Sequence, residues 1–316
     1  MRRHNTEVPA ALRTVLLSLL LMVLGLAVSA ALPHPADAAC ITDDTAIEIC
    51  LDAPPERIIS LYGAFTETLW DLGAGPRLVA RTKNDLSVPA MADLPSVGTG
   101  LRPNVEYLLA LRPHLVVSRA SRASSESLQA LRARGLTVAA FDPLSLEDLY
   151  RTVERLGTLT GHSAEATALT TRLRLGVDRV AAVAAAVPVE QRPRVVYEVR
   201  ADPLTVAGSG GLVDELIRTA GGVNATENPK KLFLLDVEAL LRMDPDAYVV
   251  QEGPMNRNPT PPVERPHFQT LRCVRGGRIL TVDEQLFSRP GPRVAEAAEA
   301  LGRFLHPQLW EGMQGR

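Results

Sequence analysis

"SAEATALTTRLRLGVDRVAAVAAAV", Ser163 to Val187, decides the fold. Ser163 can cap a helix, Pro188 can end it, and Gly176 is the only weak helix former between them. At 1.5 Å per residue such a helix is roughly 37 Å long. No strand-like run lies close on either side. The segment therefore reads as a stiff spacer between two bodies, unlike a flexible Gly/Ser linker.

Outward from that helix, both flanks alternate strands and helices. Toward the N-terminus the apolar runs "RIISLY" (Arg57–Tyr62), "RLVART", "HLVVS" and "LTVAAFD" alternate with helical stretches such as "AFTETLWDLGAG", "PNVEYLLALR" and "LSLEDLYRTVERLGTLTG". Pro103 opens "PNVEYLLALR" at what reads as a first helical turn. Toward the C-terminus "RVVYEV", "DAYVVQEG" and "RILTVD" alternate with "GGLVDELIRTAGG", "DVEALLRM" and "RPGPRVAEAAEALGRFL". This alternation predicts parallel sheets covered on both faces. The expected fold class is α/β: two lobes with central parallel sheets joined by one long rigid helix, with a ligand cleft between the lobes. The boundaries fall at 39–160 for the N-terminal lobe, 161–188 for the interlobe helix and 189–307 for the C-terminal lobe, with a tail at 308–316.

One joint is written twice. Pro103–Val117 and Leu235–Val250 both read Val-Glu-x-Leu-Leu, with a proline seven residues after the glutamate (Glu106 to Pro113, Glu238 to Pro245) and a strand beyond it. A carboxylate near a helix start is favoured by the helix dipole. Its recurrence at the same corner of two lobes also makes a pair of anionic knobs for a two-fold symmetric partner.

Composition excludes some classes. The chain has 316 residues, 46% of them apolar, a formal net charge of −2 and 4% aromatics. That is enough for two cores, but it gives no basic face for nucleic acid and few stacking platforms. Arg2, Arg3 and Arg13 precede the apolar run Val15–Leu32, and Ala36-x-Ala38 follows. This describes a signal peptide over 1–38 and export to the periplasm. The run is also just long enough for a membrane anchor. A lipid anchor on Cys40 is disfavoured, because "DAAC" puts Asp37 where an aliphatic residue is wanted. In an oxidising compartment Cys40 and Cys50, flanking "ITDDTAIEI", are expected to bridge a short hairpin turning near Asp43-Asp44-Thr45. Cys273 is left over as a partly buried small residue.

Catalytic signatures fail one by one. "GSGG" (Gly208–Gly211) lacks the Lys-Ser/Thr of a phosphate loop and reads as a glycine-rich turn opening a helix. No Gly-x-Ser-x-Gly elbow occurs. His114, His162, His267 and His306 are scattered, with no set of converging metal donors. No enzyme, resident metal or cofactor is expected.

In open parallel sheets the ligand crevice lies beyond the carboxyl ends of the strands. Those ends carry Tyr62 and Gly63, then Arg81, Lys83 and Asp85, then Arg119 in the first lobe. In the second they carry Tyr197, Arg200, Met255, Phe287 and Arg289. The three lysines of the chain, Lys83, Lys230 and Lys231, all fall in such loops. Cations recurring there favour an anionic ligand, although an arginine-rich sequence also places arginine in ordinary surface loops.

The segments "PPERIISLYGAFTETLWDLGAGPRLVA", "VGTGLRPNVEYLLALRPHLVVS", "GGLVDELIRTAGGVN", "DVEALLRMDPDAYVV" and "FSRPGPRVAEAAEAL" together resemble the periplasmic substrate-binding proteins of ABC importers for iron-siderophores, haem and vitamin B12. The resemblance runs from about Cys40 to Pro307. It implies a ligand held between two lobes with little hinge motion, and a permease dimer, with its ATPase subunits, as partner. It also implies one carboxylate per lobe engaging permease arginines, at the positions of Glu106 and Glu238. Phe287 and Arg289 match the family's C-lobe ligand loop. Lys83 and Gly100 stand where the B12-binding members carry aromatics, which turns the expectation from a corrinoid toward a smaller or more anionic metal chelate. A free metal ion or oxyanion is the alternative cargo. The free protein is expected to be a monomer.

Overall fold

The computed structural model describes residues 38–83, 85 and 88–311. The expected signal peptide, up to residue 37, and the last five residues of the tail lie outside them. The spacer helix runs over Ser163–Ala184, 22 residues, three short of the expected Val187. It starts differently from expectation. Ser163 is its first helical residue, not its cap; His162 holds the cap position and makes no side-chain capping bond. The preceding helix ends on left-handed Gly161 and closes with His162 N donating to Gly157 O at 2.8 Å, so the new helix restarts at once.

The N-terminal lobe begins with a hairpin of β1 (Ala39–Thr42) and β2 (Glu48–Leu51), in which Cys40 faces Cys50 and the disulfide forms. Asp43 closes the turn, its carboxylate accepting from Thr45 N, Ile47 N and Arg132 Nη2. Then come β3 (Ile58–Ser60), α1 (Gly63–Asp71), β4 (Leu78–Ala80), α2 (Val105–Ala110), β5 (Leu115–Arg119), α3 (Ser125–Ala133), β6 (Val138–Phe141) and α4 (Leu146–Thr160). The sheet is parallel in the order β4-β3-β5-β6. Its strands are buried along nearly their whole length, as a sheet covered on both faces requires.

Beyond the long helix, α5 (Ser163–Ala184), the C-terminal lobe contains β7 (Arg194–Arg200), β8 (Thr205–Ala207), α6 (Leu212–Thr219), β9 (Val223–Asn224), β10 (Leu232–Leu234) and α7 (Val237–Met243). It continues with β11 (Ala247–Glu252), α8 (Arg272–Arg275), β12 (Ile279–Asp283), α9 (Glu284–Phe287), α10 (Val294–Leu305) and α11 (Pro307–Glu311). The sheet order is β10-β8-β7-β11-β12, with β9 also on β7. β7, β11 and β12 are parallel, as expected, but β8 and β10 add an antiparallel edge the sequence reading did not contain.

The written repeat is a structural one. β5 and β11 take the same place, each between two parallel partners, and each follows a short helix carrying the glutamate. Both joints pass through a left-handed residue directly before the proline: Arg112 at φ 46° before Pro113, and Asp244 at φ 40° before Pro245. A residue preceding proline is disfavoured in the right-handed helical region, so each helix ends before its proline. Pro103 lies outside the helix, two positions before its first residue Val105; Asn104 is the cap, its Oδ1 accepting from Tyr107 N at 3.0 Å.

On α5 the buried residues Ala166, Leu169, Leu173, Val177, Val180 and Ala184 form one stripe at helical spacing. That stripe belongs to a single apolar core that includes Phe65, Val117 and Phe141 of the first lobe together with Val195, Tyr197 and Val249 of the second. At Gly176 a Cβ would stand 2.7 Å from the Ala295 Cβ of α10, so glycine there permits close helix–helix approach. The two lobes thus share a core along the helix.

Candidate functional site

β3 ends at Ser60 and the chain turns into α1 through Tyr62, whose carbonyl accepts from Phe65 N (2.9 Å) and Thr66 N (3.0 Å). The turn holds the Tyr62 ring edge-on against Phe65 with centroids 5.0 Å apart. Arg119, at the end of β5, places its guanidinium carbon 5.5 Å from the Tyr62 ring centroid. Arg289, following α9 in the other lobe, comes to 5.8 Å of the same ring. Cation–π attraction is worth about 0.5–1 kcal/mol per pair when exposed and more when desolvated. Burial pushes the Tyr62 phenol up, against the pull of both arginines, so the ring stays a neutral platform.

Carboxylates from both lobes hold these cations. Arg119 Nε donates to Asp142 Oδ1 at 3.0 Å, and Lys231 Nζ lies 3.6 Å from that same oxygen. Arg289 Nη2 donates to Glu284 Oε1 at 3.1 Å, and Glu284 Oε2 accepts from Met255 N at 2.7 Å. Burial first, and the positive Arg119 beside it, lower the Lys231 ammonium to about 8, with Asp142 opposing. Asp85 is buried: its Oδ2 accepts from Thr66 Oγ1 while Oδ1 has no partner among the described residues. Burial, with Glu67 adding to it, raises its carboxyl above the usual carboxylate range. Gly63 lies between Asp85 and Arg289; a Cβ there would meet Arg289 Nη1 at 3.3 Å and Asp85 Oδ1 at 3.5 Å.

The site residues read from the sequence therefore separate into three groups. Tyr62, Gly63, Asp85, Arg119 and Arg289 converge. The others do not join that cluster: Arg81 is turned onto the carbonyls of Thr82 and Ala92, Arg200 donates to Thr205 Oγ1, and Lys83 and Met255 are exposed. Tyr197 and Phe287 are buried beneath the cleft, 1% and 3% exposed. The Tyr197 hydroxyl lies 3.0 Å from Ser288 Oγ, which ties the segment preceding Arg289 to the sheet. These two side chains support the arginine loop from below.

Asp142 was missed, and Lys231 was placed in a ligand loop without being named a site residue. The signal was present in the scarcity of lysine and in the aspartate closing "LTVAAFD". What the sequence hides is the packing that delivers Lys231. A Cβ at Gly208 would come within 2.1 Å of Lys230 O, and one at Gly211 within 2.9 Å of Lys231 Cγ. The glycine-rich turn is thus shaped for the segment that carries the lysine into β10. Open grooves of about 590 Å³ and 690 Å³ flank α5, and their linings include charges already paired, Arg174 with Glu147 and Arg172 with Asp71.

Glu106 and Glu238 are both exposed in the first turns of α2 and α7. Glu106 accepts from Arg134 Nη1 at 2.8 Å, whereas Glu238 makes no ion pair among the described residues. Each has exposed apolar neighbours, Leu101 and Tyr107 in one lobe, Leu234 and Val237 in the other.

Comparison with known proteins agrees with this architecture. The chain is 26% identical over 275 residues to an uncharacterized ABC transporter substrate-binding lipoprotein of Bacillus subtilis, covering 86% of each chain. It is 29% identical over 287 residues to a cobalamin-binding protein of Halobacterium salinarum, covering 86% of this chain and 76% of that one. Among solved structures, the periplasmic heme-binding protein of Roseiflexus sp. RS-1 in apo form superposes with a TM-score of 0.72 at 25% identity, covering 80% of this chain and 99% of the other. The sequence pattern of the family described as periplasmic binding protein matches residues 58–286, and the chain belongs to that family.

Proposed function

We propose that this chain is the extracytoplasmic receptor of an ABC importer, which captures an anionic metal chelate between its lobes and delivers it to the permease. The observation that carries the reading is the convergence of Arg119 and Arg289, one from each lobe, on Tyr62, with Lys231 beside Arg119 on the shared Asp142 carboxylate. Partly desolvated cations attract oxygen anions strongly, and an aromatic plate beside them suits the flat or apolar body of a chelate. Asp85, whose Oδ1 has no partner among the described residues, adds a position for a ligand hydroxyl or amide. Arg81, Lys83, Arg200 and Met255 contribute the rim, and Glu106 and Glu238 are the docking points for the two permease subunits.

A thermal-shift panel tests the reading, using the chain from Ala39 onward against haemin, ferric siderophores, cobalamin, cobinamide and molybdate. A ligand at a hundred times its dissociation constant adds about 2.7 kcal/mol to stability. A clear upward shift with an anionic chelate is expected, and none with cobinamide, which is cationic. A shift with molybdate alone would replace the chelate by an oxyanion, which the same cations also suit. Silence throughout would remove the metal-chelate reading.

A further inference from the structure

In the cleft two cations share one carboxylate. Arg119 comes from the first lobe and Lys231 from the second, and Asp142 Oδ1 serves both, at 3.0 and 3.6 Å. Neither cation has another ion-pair partner among the described residues. The longer contact exceeds ordinary hydrogen-bond length, so the lysine is held by charge more than by geometry. All three side chains are open to solvent, 29% for Arg119, 25% for Asp142 and 30% for Lys231. The contrast is the Arg265–Glu198 pair, sealed at 9% and 0%, which no ligand can reach. The backbone at Asp142 is fixed by its N–H donating to Asp44 Oδ2 at 2.7 Å, which leaves the carboxylate free to rotate about its own side-chain bonds. Lys231, by contrast, is placed firmly by the tight packing of its loop on Gly208 and Gly211.

We propose that Asp142 is a built-in occupant of the anion seat between Arg119 and Lys231, and that the acidic group of the ligand binds by displacing it. Lys231 is then a ligand-binding residue of the second lobe, and Asp142 sets a threshold. A lone monoanion gains no more from the two cations than the tethered aspartate already does, and the aspartate acts at high effective concentration. A ligand presenting several anionic oxygens, reaching Arg289 as well, outbids it. Selectivity for polyanionic over neutral ligands follows without any change in the shape of the cleft. The inference rests on the receptor reading only for the location of the cleft.

The test uses citrate without metal as the probe, by calorimetric titration of the chain from Ala39 onward, which forms one compact unit. Asp142→Asn removes the competitor and should tighten citrate binding by about tenfold, the scale of a charge-assisted contact. Lys231→Met should weaken it, and the double variant should lose the gain. Asp142→Ser repeats the measurement with a smaller side chain should the asparagine variant fold poorly. The proposal is overturned if removing Asp142 brings no gain, if the gain survives the loss of Lys231, or if citrate binds none of the variants. Failure of every chelate against the wild-type protein, with the citrate results as expected, would strike the chelate reading and leave the anion seat standing.

Discussion

The charged residues of the second lobe show how the same chemistry serves structure and binding at different depths. Glu198 is fully buried; Arg265 engages both its oxygens, Tyr248 donates to Oε2 at 2.6 Å, and Asn256 lies beside it. The pair fastens the proline-rich loop after β11 to the sheet. Removing one partner of a sealed pair strands the other, so Arg265→Leu should cost about 3–5 kcal/mol in urea unfolding. The double replacement Glu198→Gln with Arg265→Met should cost less. Lys231 behaves in the opposite manner because burial and the neighbouring Arg119 outweigh the carboxylate it shares. Its ammonium is lowered from 10.5 to about 8. Below pH 8 both folded and unfolded chains carry the proton, and the cost of burying it is present in full. Between about 8 and 10.5 the unfolded chain binds more protons, so this residue's contribution to stability improves as pH rises. Affinity for an anion falls over the same rise, because the cation is lost. Melts from pH 7 to 10 with and without citrate should show these opposite slopes, both flattened by Lys231→Met.

Among the elements, α5 is the one on which the shape depends. A Cβ at Gly176 would overlap Ala295, so Gly176→Leu must push α10 away, at about 1–3 kcal/mol despite its better helix propensity. Leu175→Ala, on the exposed face, should change stability little in the same urea unfolding experiment. That helix was legible because length and apolar periodicity are local properties, and so were the strands flanking it. The repeated joint was legible for the same reason: a cap, a glutamate, two leucines and a proline lie within 15 residues. β8, β9 and β10 were not. Each has two or three residues, too few for a period, and each exists because a long-range neighbour completes its hydrogen bonds. The site divides along the same line. Tyr62, Arg119 and Arg289 could be named because strand ends can be read, whereas the pairing of Asp142 with Lys231 joins residues 89 apart in number and depends on β10, which was not foreseen.

For the whole molecule, the shared core on α5 and the contacts crossing the cleft argue for small relative motion of the lobes. Arg293 pairs with Glu67 at 2.9 Å, and Glu215 accepts from Leu146 N at 2.6 Å. A receptor that moves little must announce its cargo through the surface it presents, and the two glutamate corners are that surface in the proposed reading. They are not equivalent. Glu238 stands free of ion pairs among the described residues, while Glu106 is already paired with Arg134. An exposed pair of this kind is worth only about 0–1 kcal/mol. A permease arginine must nevertheless displace Arg134 or share with it. Glu238→Ala should therefore weaken docking more than Glu106→Ala, and Arg134→Ala should tighten it by a few fold at low salt and less at high salt, where exposed charges are screened. Reconstituted importer in vesicles, with receptor-stimulated ATP hydrolysis as the readout, decides this. The double alanine variant should lose stimulation while keeping wild-type ligand affinity and melting temperature. Equal losses from the two single variants would refute the asymmetry, and full stimulation by the double variant would remove the glutamates from docking altogether.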